Sequence, residues 1–213
     1  MYAISEEGGI YVVEFPLVTL KEDDILEEEV VMRVDGNGQP VEAAKFPSLD
    51  RAVASAAGAL LDAADAVEAR LDKIEYRLEA DERVDPLELY NASYLVHSLH
   101  VHAYSLRALS ARLRRLGLIR QRTLEVVRSA VRRAHALRRA LLDLRLLYIS
   151  QLQNSINSSM KRMTLISTVA LPAILISSIY GMNIQLPLAD SPPAVFGLMA
   201  VLTAAFALLV YKV

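Results

Sequence analysis

Few residues of this chain have types and spacings that could carry out chemistry. There is no cysteine, which excludes a thiolate nucleophile, a thiolate metal site and a disulfide. His97, His100 and His102 cluster in one predicted helix, but spacings of three and five do not place all three on one face. We interpret them as ordinary, partly buried histidines rather than as a metal site. The sequence shows no Ser-His-Asp pattern and no phosphate-cradling glycine loop, so we expect neither an enzyme nor a cofactor.

Charge is distributed unevenly along the chain. Residues 1–106 carry 8 basic and 22 acidic side chains, residues 107–162 carry 14 and 2, and the last 51 residues carry one of each. The net charge of −2 is therefore a cancellation between an acidic block and a basic block. We expect the arginines of the basic block to pair with the acidic helices. Binding of DNA or anionic lipid is the alternative, but no groove-reading motif supports it, and we expect no nucleic-acid partner.

Two uncharged segments near the C-terminus, residues 163–180 and 194–211, have 18 residues each. A helix needs about 20 apolar residues to cross a bilayer core, and both segments reach that length with their flanks. Because neither has a polar face, we favour membrane spans over buried helices of a soluble domain. Lys161, Arg162 and Lys212 flank the spans, and residues 181–193 contain no Lys or Arg. The positive-inside rule then predicts a multi-pass protein of the plasma (inner) membrane with both termini cytoplasmic.

The rest of the chain reads as a small sheet followed by long helices. Residues 9–20 and 29–34 are rich in β-branched and aromatic residues, which favours short strands. A helix is predicted from Ser48 to about residue 82, and a second from Asp85-Pro86 to Gly117, with Glu88 completing a capping box. Because no glycine or proline occurs between Leu118 and Pro172, one helix should run from 118 through the first span to about Tyr180.

The predicted fold class is a mostly α membrane protein with a small N-terminal α/β cytoplasmic region. A long stalk helix is continuous with the first transmembrane helix, and a second transmembrane helix lies at the C-terminus. The predicted parts are a β-rich part (1–47), a helical part (48–117), the stalk (118–162), the first transmembrane helix (163–183), an outer loop (184–193) and the second transmembrane helix (194–213).

The first span ends in the residues Tyr180-Gly181-Met182-Asn183. A Tyr-Gly-Met-Asn sequence that closes the first of two C-terminal spans resembles the CorA family of divalent-cation channels. Asn157, Met160-Lys161 and Thr164 resemble the family's inner pore entrance, and Pro172 resembles a proline of its first span. The resemblance is specific over residues 154–213 and agrees in outline elsewhere.

The resemblance implies a homopentamer in a lipid bilayer, with five copies of the first span lining a pore. Gly181, Met182 and Asn183 would then form the selectivity filter, where the Gly181 carbonyl and the Asn183 amide could hold Mg²⁺ with its waters attached. Without this context, Gly181 would simply end a helix that Asn183 caps. Asp190 is the one acid of the outer loop, and Lys161, Arg162 and Lys212 would form the inner basic collar.

One face of the first span follows spacings of three and four and is predicted to line the pore: Asn157, Met160, Thr164, Ser167, Leu171, Ile174 and Ser178. Its polar side chains could offer oxygens to a hydrated ion, and Met160 and Leu171 could form apolar constrictions. The alternative is that the serines and the threonine bond to their own helix or lie between helices. The resemblance also implies a gate controlled by Mg²⁺, which acids of the stalk and the N-terminal region would bind between neighbouring cytoplasmic domains. The stalk here has only two acids, Glu125 and Asp143.

The sequence therefore predicts a CorA-like channel that passes Mg²⁺ passively inward, with Co²⁺ and Ni²⁺ as further candidate ions. One alternative is a zinc transporter of the ZntB kind, which would carry Zn²⁺. The other is a membrane-anchored helical scaffold or signalling protein, which would have no need of Gly181 and Asn183.

Overall fold

The computed structural model describes residues 2–21, 24–182 and 191–212, the last three of these by their backbone alone. These residues divide into two compact units, residues 1–149 and residues 150–213. The element order is three strands followed by four helices, and the third helix contributes residues to both units. The mostly helical architecture, with a small N-terminal sheet and a C-terminal apolar helix, confirms the predicted fold class.

The first unit begins with a three-stranded antiparallel sheet. Its strands are β1 (Ala3–Glu7), β2 (Ile10–Lys21) and β3 (Asp24–Val34), in the order β1-β2-β3. Phe15 and Met32 are among the side chains that the sheet buries. Pro16 is tolerated in the central strand because β1 pairs with β2 only as far as Glu14. On the β1 side, Pro16 therefore interrupts no hydrogen bonds between strands. The sequence prediction located β2 and part of β3 but missed β1.

Two helices follow the sheet, each with a side-chain cap at its start. In α1 (Leu49–Glu79) the Ser48 hydroxyl accepts from the Arg51 N–H, and in α2 (Pro86–Arg115) the Asp85 carboxylate accepts from the Leu87 N–H. Both caps confirm the sequence prediction. The expected capping box at Glu88 is replaced by an ion pair, in which Arg77 Nη1 of α1 lies 2.7 Å from Glu88 Oε2. Glu88 therefore ties α2 to α1.

Helix α2 ends in the glycine motif that the sequence indicates. Gly117 has a φ of 76°, and the Leu118 N–H donates to the Leu113 carbonyl while the Gly117 N–H donates to the Arg114 carbonyl. A glycine adopts this left-handed conformation without the cost that a β-carbon would add. The chain then leaves α2, and Leu118 and Ile119 are buried before the next helix begins.

The third helix, α3 (Gln121–Tyr180), is 60 residues long. It starts three residues later than predicted because the preceding backbone is held by α1. The Asp50 carboxylate accepts from the Arg120 N–H at 2.8 Å and from the Thr123 hydroxyl at 2.6 Å. Within the first unit, α3 buries one apolar stripe in the common core with α1, α2 and the sheet: Val127, Ala130, Val131, Ala134, Leu137, Leu141 and Leu144.

The second unit consists of the remainder of α3 and the helix α4 (Pro192–Lys212). Both helices are long and apolar enough to cross a membrane. Their apolar side chains are largely exposed; among the described residues of this unit, only Pro172 and Ile176 are buried. Such surfaces fit a bilayer rather than water.

Candidate functional site

The two helices of the second unit pack through one face of each. On α3 this face contains Val169, Pro172 and Ile176, which are buried or half-buried. On α4 it contains Val195 and Met199, which are half-buried at a spacing of four. The Ser177 hydroxyl of α3 lies 3.7 Å from the Met199 sulfur and joins the two helices.

The predicted pore-lining residues lie on the opposite face of α3. At 3.6 residues per turn, Ser167, Leu171 and Ile174 point away from the side that contacts α4. All seven predicted residues are exposed, Met160 by 62% and Ile174 by 61%. Helix α4 therefore leaves this face uncovered from Asn157 to Ser178.

The N-terminal part of this face borders an open hollow of about 670 Å³. Its described lining combines neutral polar side chains with apolar ones and a single cation: Asn154, Asn157, Ser158, Met160, Lys161, Thr164 and Leu165. The hollow brings together Asn157, Met160 and Thr164, which the sequence predicts to line the inner pore entrance. Lys161 and Arg162 are exposed at the same level, and the side chain of Lys212 lies outside the described part.

The end of α3 brings Gly181 close to the preceding helical turn. The Gly181 N–H donates to the Ser177 carbonyl at 2.9 Å, and the Met182 N–H donates to the Ile179 carbonyl at 3.2 Å. A β-carbon at Gly181 would lie 3.1 Å from the Ser177 oxygen, which is tighter than an ordinary contact. The absence of a side chain therefore lets the backbone close the last turn here. Asn183 and Asp190 lie outside the described residues.

The three histidines that cluster in the sequence differ in their surroundings: His97 is exposed, His100 is half-buried and His102 is buried. His102 faces the sheet, where its Nδ1 forms a 3.2 Å hydrogen bond with the Tyr2 hydroxyl and its Nε2 lies 3.4 Å from Glu27 Oε1. Burial lowers the pKa of His102, although the Glu27 carboxylate acts in the opposite direction. Burial also raises the pKa of Tyr2 above its ordinary value, and Glu27 adds to that rise.

His100 instead belongs to a cluster between α2 and α3 that sequence reasoning missed. Its ring packs on Tyr104, and both rings contact His135 of α3. The Tyr104 hydroxyl is hydrogen-bonded to His135 Nε2. Tyr104 follows His100 by four residues on one helix face, but no local pattern connects either residue to His135, which is 31 residues beyond Tyr104.

The predicted pairing between the basic and acidic blocks is represented by Arg133. Its guanidinium binds Asp65 at 2.7 Å and also contacts Glu68, both on α1. The hydrogen bonds that Arg133 donates to Asp65 raise the pKa of Arg133, and the charges of both carboxylates raise it further. Across residues 2–21, 24–182 and 191–212, no three His, Asp or Glu side chains converge closely enough to hold a metal ion.

Comparison with known proteins gives one family and one shared fold. The family model for the CorA-like Mg²⁺ transporter protein matches residues 10–212. Among solved structures, the chain is similar to the CorA magnesium transporter from Methanocaldococcus jannaschii, with a TM-score of 0.67 and 16% sequence identity. The match covers 99% of this chain and 78% of that chain. None of the curated proteins compared with this chain matches it.

The family match spans both units, from β2 to the end of α4. It therefore covers the exposed face of α3, the helix end at Gly181 and the second apolar helix together. The solved structure agrees in fold over nearly the whole chain. The chain belongs to the CorA-like Mg²⁺ transporter family.

Proposed function

We propose that this chain forms a homopentameric channel that passes hydrated Mg²⁺ passively inward across the plasma membrane. The observation that carries the proposal is the uncovered face of α3, which mixes small polar with apolar residues and turns away from α4. A lone helix pair would expose these polar groups to lipid, which is unfavourable. In five copies that turn this face toward a common axis, the polar groups would instead be exposed to water in the pore.

The filter is proposed at the outer end of α3. Mg²⁺ keeps several of its waters and prefers hard oxygen ligands. The Gly181 carbonyls and Asn183 amides of five copies would offer a ring of neutral oxygens to the hydrated ion. Neutral oxygens bind less tightly than carboxylates, and conduction needs binding that is specific but readily reversed. Met182, exposed beside Gly181, completes the motif.

The proposed orientation places both termini in the cytoplasm. Lys161 and Arg162 are exposed at the start of the first span, and positive residues favour the cytoplasmic side. With Lys212 they form the proposed inner basic collar. An inside-negative potential contributes ~2.3 kcal/mol per elementary charge per 100 mV, so a divalent ion gains about twice that. No other energy source is then required for inward flux.

The proposed ion set is Mg²⁺, with Co²⁺ and Ni²⁺ as competitors, because neutral oxygens bind the hydrated forms of all three. A zinc-selective transporter would be expected to supply softer ligands. The chain has no cysteine, and the described part of the first span has neither histidine nor carboxylate. These features favour the magnesium proposal over the zinc alternative, and Asp190 would attract cations to the outer mouth.

The proposal is tested by ion flux into proteoliposomes that contain the full chain. We expect Mg²⁺ uptake driven by an inside-negative potential and reduced by external Co²⁺ or Ni²⁺. Asn183→Ala should abolish the uptake while the pentamer stays intact on a sizing column. Asn91→Ala, the same change in cytoplasmic α2, is the matched control and should leave uptake unchanged.

Each alternative predicts a different result. Preserved uptake in Asn183→Ala would overturn the filter assignment. A wild-type protein that passes no divalent ion would favour a membrane-anchored scaffold. Uptake of Zn²⁺ that Mg²⁺ does not reduce would favour the zinc transporter.

A further inference from the structure

The cluster between α2 and α3 brings together three rings that carry polar atoms. The ring centres of His100 and His135 are 5.3 Å apart and their planes meet at 85°. Tyr104 lies 4.6 Å from His100 and 5.2 Å from His135, again measured between ring centres. Two imidazoles and a phenol, drawn from two helices, thus converge at one place on the cytoplasmic unit.

One nitrogen of this cluster lacks a partner. His100 Nε2 is buried and has no hydrogen bond among the described residues. A buried polar atom without a partner destabilises the fold, and native proteins seldom keep one without a reason. Burial lowers the pKa of His100, and Arg138, His135 and His97 lower it further.

The spacing of the rings suits a shared ion. Nitrogen–metal bonds of 2.0–2.1 Å at a tetrahedral angle place the centres of two imidazoles about 5 Å apart. His135 and Tyr104 are exposed, so an ion can enter from solvent without opening the core. A hydrogen bond between Tyr104 and His135 Nε2 also fixes the orientation of that ring, as groups around metal-binding histidines commonly do.

We propose that His100 and His135, with Tyr104 beside them, bind a borderline transition-metal ion such as Zn²⁺, Ni²⁺ or Co²⁺ between α2 and α3. Imidazole nitrogens favour these ions over Mg²⁺, which prefers oxygen. Since no third His, Asp or Glu of the described part joins the pair, water completes the coordination. The ion is exchangeable, unlike one in a closed structural site with four protein ligands. The proposal is independent of the transport function.

The nearby charge supplies a further constraint. Arg138 acts electrostatically on His100, and its positive charge also disfavours any bound cation. Coordination bonds must outweigh this repulsion, so removing the charge should strengthen metal binding. A site formed by chance adsorption to carboxylates elsewhere would not respond to Arg138.

The test is a metal titration of the full-length protein in detergent. Zn²⁺ binding is followed calorimetrically, and Co²⁺ binding by its visible absorption, which reports nitrogen ligands. We expect His100→Gln and His135→Gln each to lower the affinity at least ~10-fold, Tyr104→Phe to lower it by a similar factor, and Arg138→Gln to raise it severalfold. His102→Gln removes an imidazole of the same helix that faces the sheet instead, and it should leave the affinity unchanged.

His135 is exposed, so His135→Gln is expected to fold even if His100→Gln does not. The proposal is overturned if the wild type binds no Zn²⁺. Equal Zn²⁺ affinity in the wild type and His135→Gln, or Mg²⁺ displacing Zn²⁺ from the pair at comparable concentrations, would also overturn it. Flux is not a readout, so a failed transport assay leaves this test intact.

Discussion

The two units of this chain differ in how far they bury their apolar side chains. In residues 1–149, Leu137 of α3 is 1% exposed within a core that α1, α2 and the sheet complete. In residues 150–213, Leu208 of α4 is 71% exposed. The first unit therefore satisfies its apolar surface within one chain. The second needs surroundings that a single chain does not provide, and in the proposed pentamer a bilayer and further copies of the chain supply them.

The largest effect is expected when the same truncation of a leucine is made in each of the two units. Leu137→Ala should lower the free energy of unfolding by about 2–5 kcal/mol because it opens a cavity in a closed core. Leu208→Ala should lower the free energy of unfolding in detergent by less than about 1 kcal/mol, because removing an exposed side chain leaves no cavity. Thermal unfolding of the full-length protein, followed by helical circular dichroism, measures both. Equal losses would contradict the contrast between the units.

The next effect concerns the uncovered face itself. Leu171 is proposed to form an apolar constriction, and a polar side chain there should hold water and ease conduction. Leu171→Ser should therefore raise Mg²⁺ uptake into proteoliposomes severalfold. Val169→Ser places the same hydroxyl on the face that contacts α4 and should not raise it. An increase from Val169→Ser alone would mean that the pore face is assigned wrongly.

A smaller effect should appear in the pH dependence of the first unit. Unfolded His102 takes up a proton near the ordinary pKa of about 6.5, whereas burial lowers its pKa in the folded chain. Below about pH 6.5 the unfolded state then binds more protons, so stability is full above that pH and falls as the pH decreases. Thermal unfolding between pH 7.5 and 5 should show this decline. His102→Gln should flatten it, and an unchanged slope would contradict the assignment.

The smallest effect is expected at the surface of the first unit. Arg133→Gln removes the ion pairs with Asp65 and Glu68, which lie at a partly exposed seam. Such pairs contribute ~0.2–1 kcal/mol and weaken in salt. The loss of stability should therefore shrink when unfolding is repeated in high salt. A loss of several kcal/mol that salt does not reduce would show that this pair belongs to the core.

Local patterns explain how much of the fold the sequence predicts. Ser48, Asp85-Pro86 and Gly117 act within a few residues of where they stand, so the ends of α1 and α2 are found to within about three residues. The strand β1 was missed because Ala3–Glu7 is short and ends in two acids, and its position depends on pairing with β2. Glu88 was misassigned for the same kind of reason, since its partner Arg77 belongs to another helix.

The same difference between local patterns and contacts between elements applies to the candidate site. The uncovered face of α3 could be predicted because its residues recur at spacings of three and four in the sequence. The pairing of His100 with His135 could not, because it depends on how α2 packs against α3. Asn183 and Asp190 stay predictions, since they lie outside the residues that the structure describes.

The central claim is that the face of α3 turned away from α4 lines a water-filled pore. Because the chain contains no cysteine, single cysteines can be introduced without background and treated with a charged thiol reagent during flux. Ser167→Cys, Ile174→Cys and Ser178→Cys should each be modified, with Mg²⁺ uptake then blocked, whereas Ala173→Cys and Ile176→Cys should be unaffected. Block at the last two positions, with none at the first three, would contradict the account.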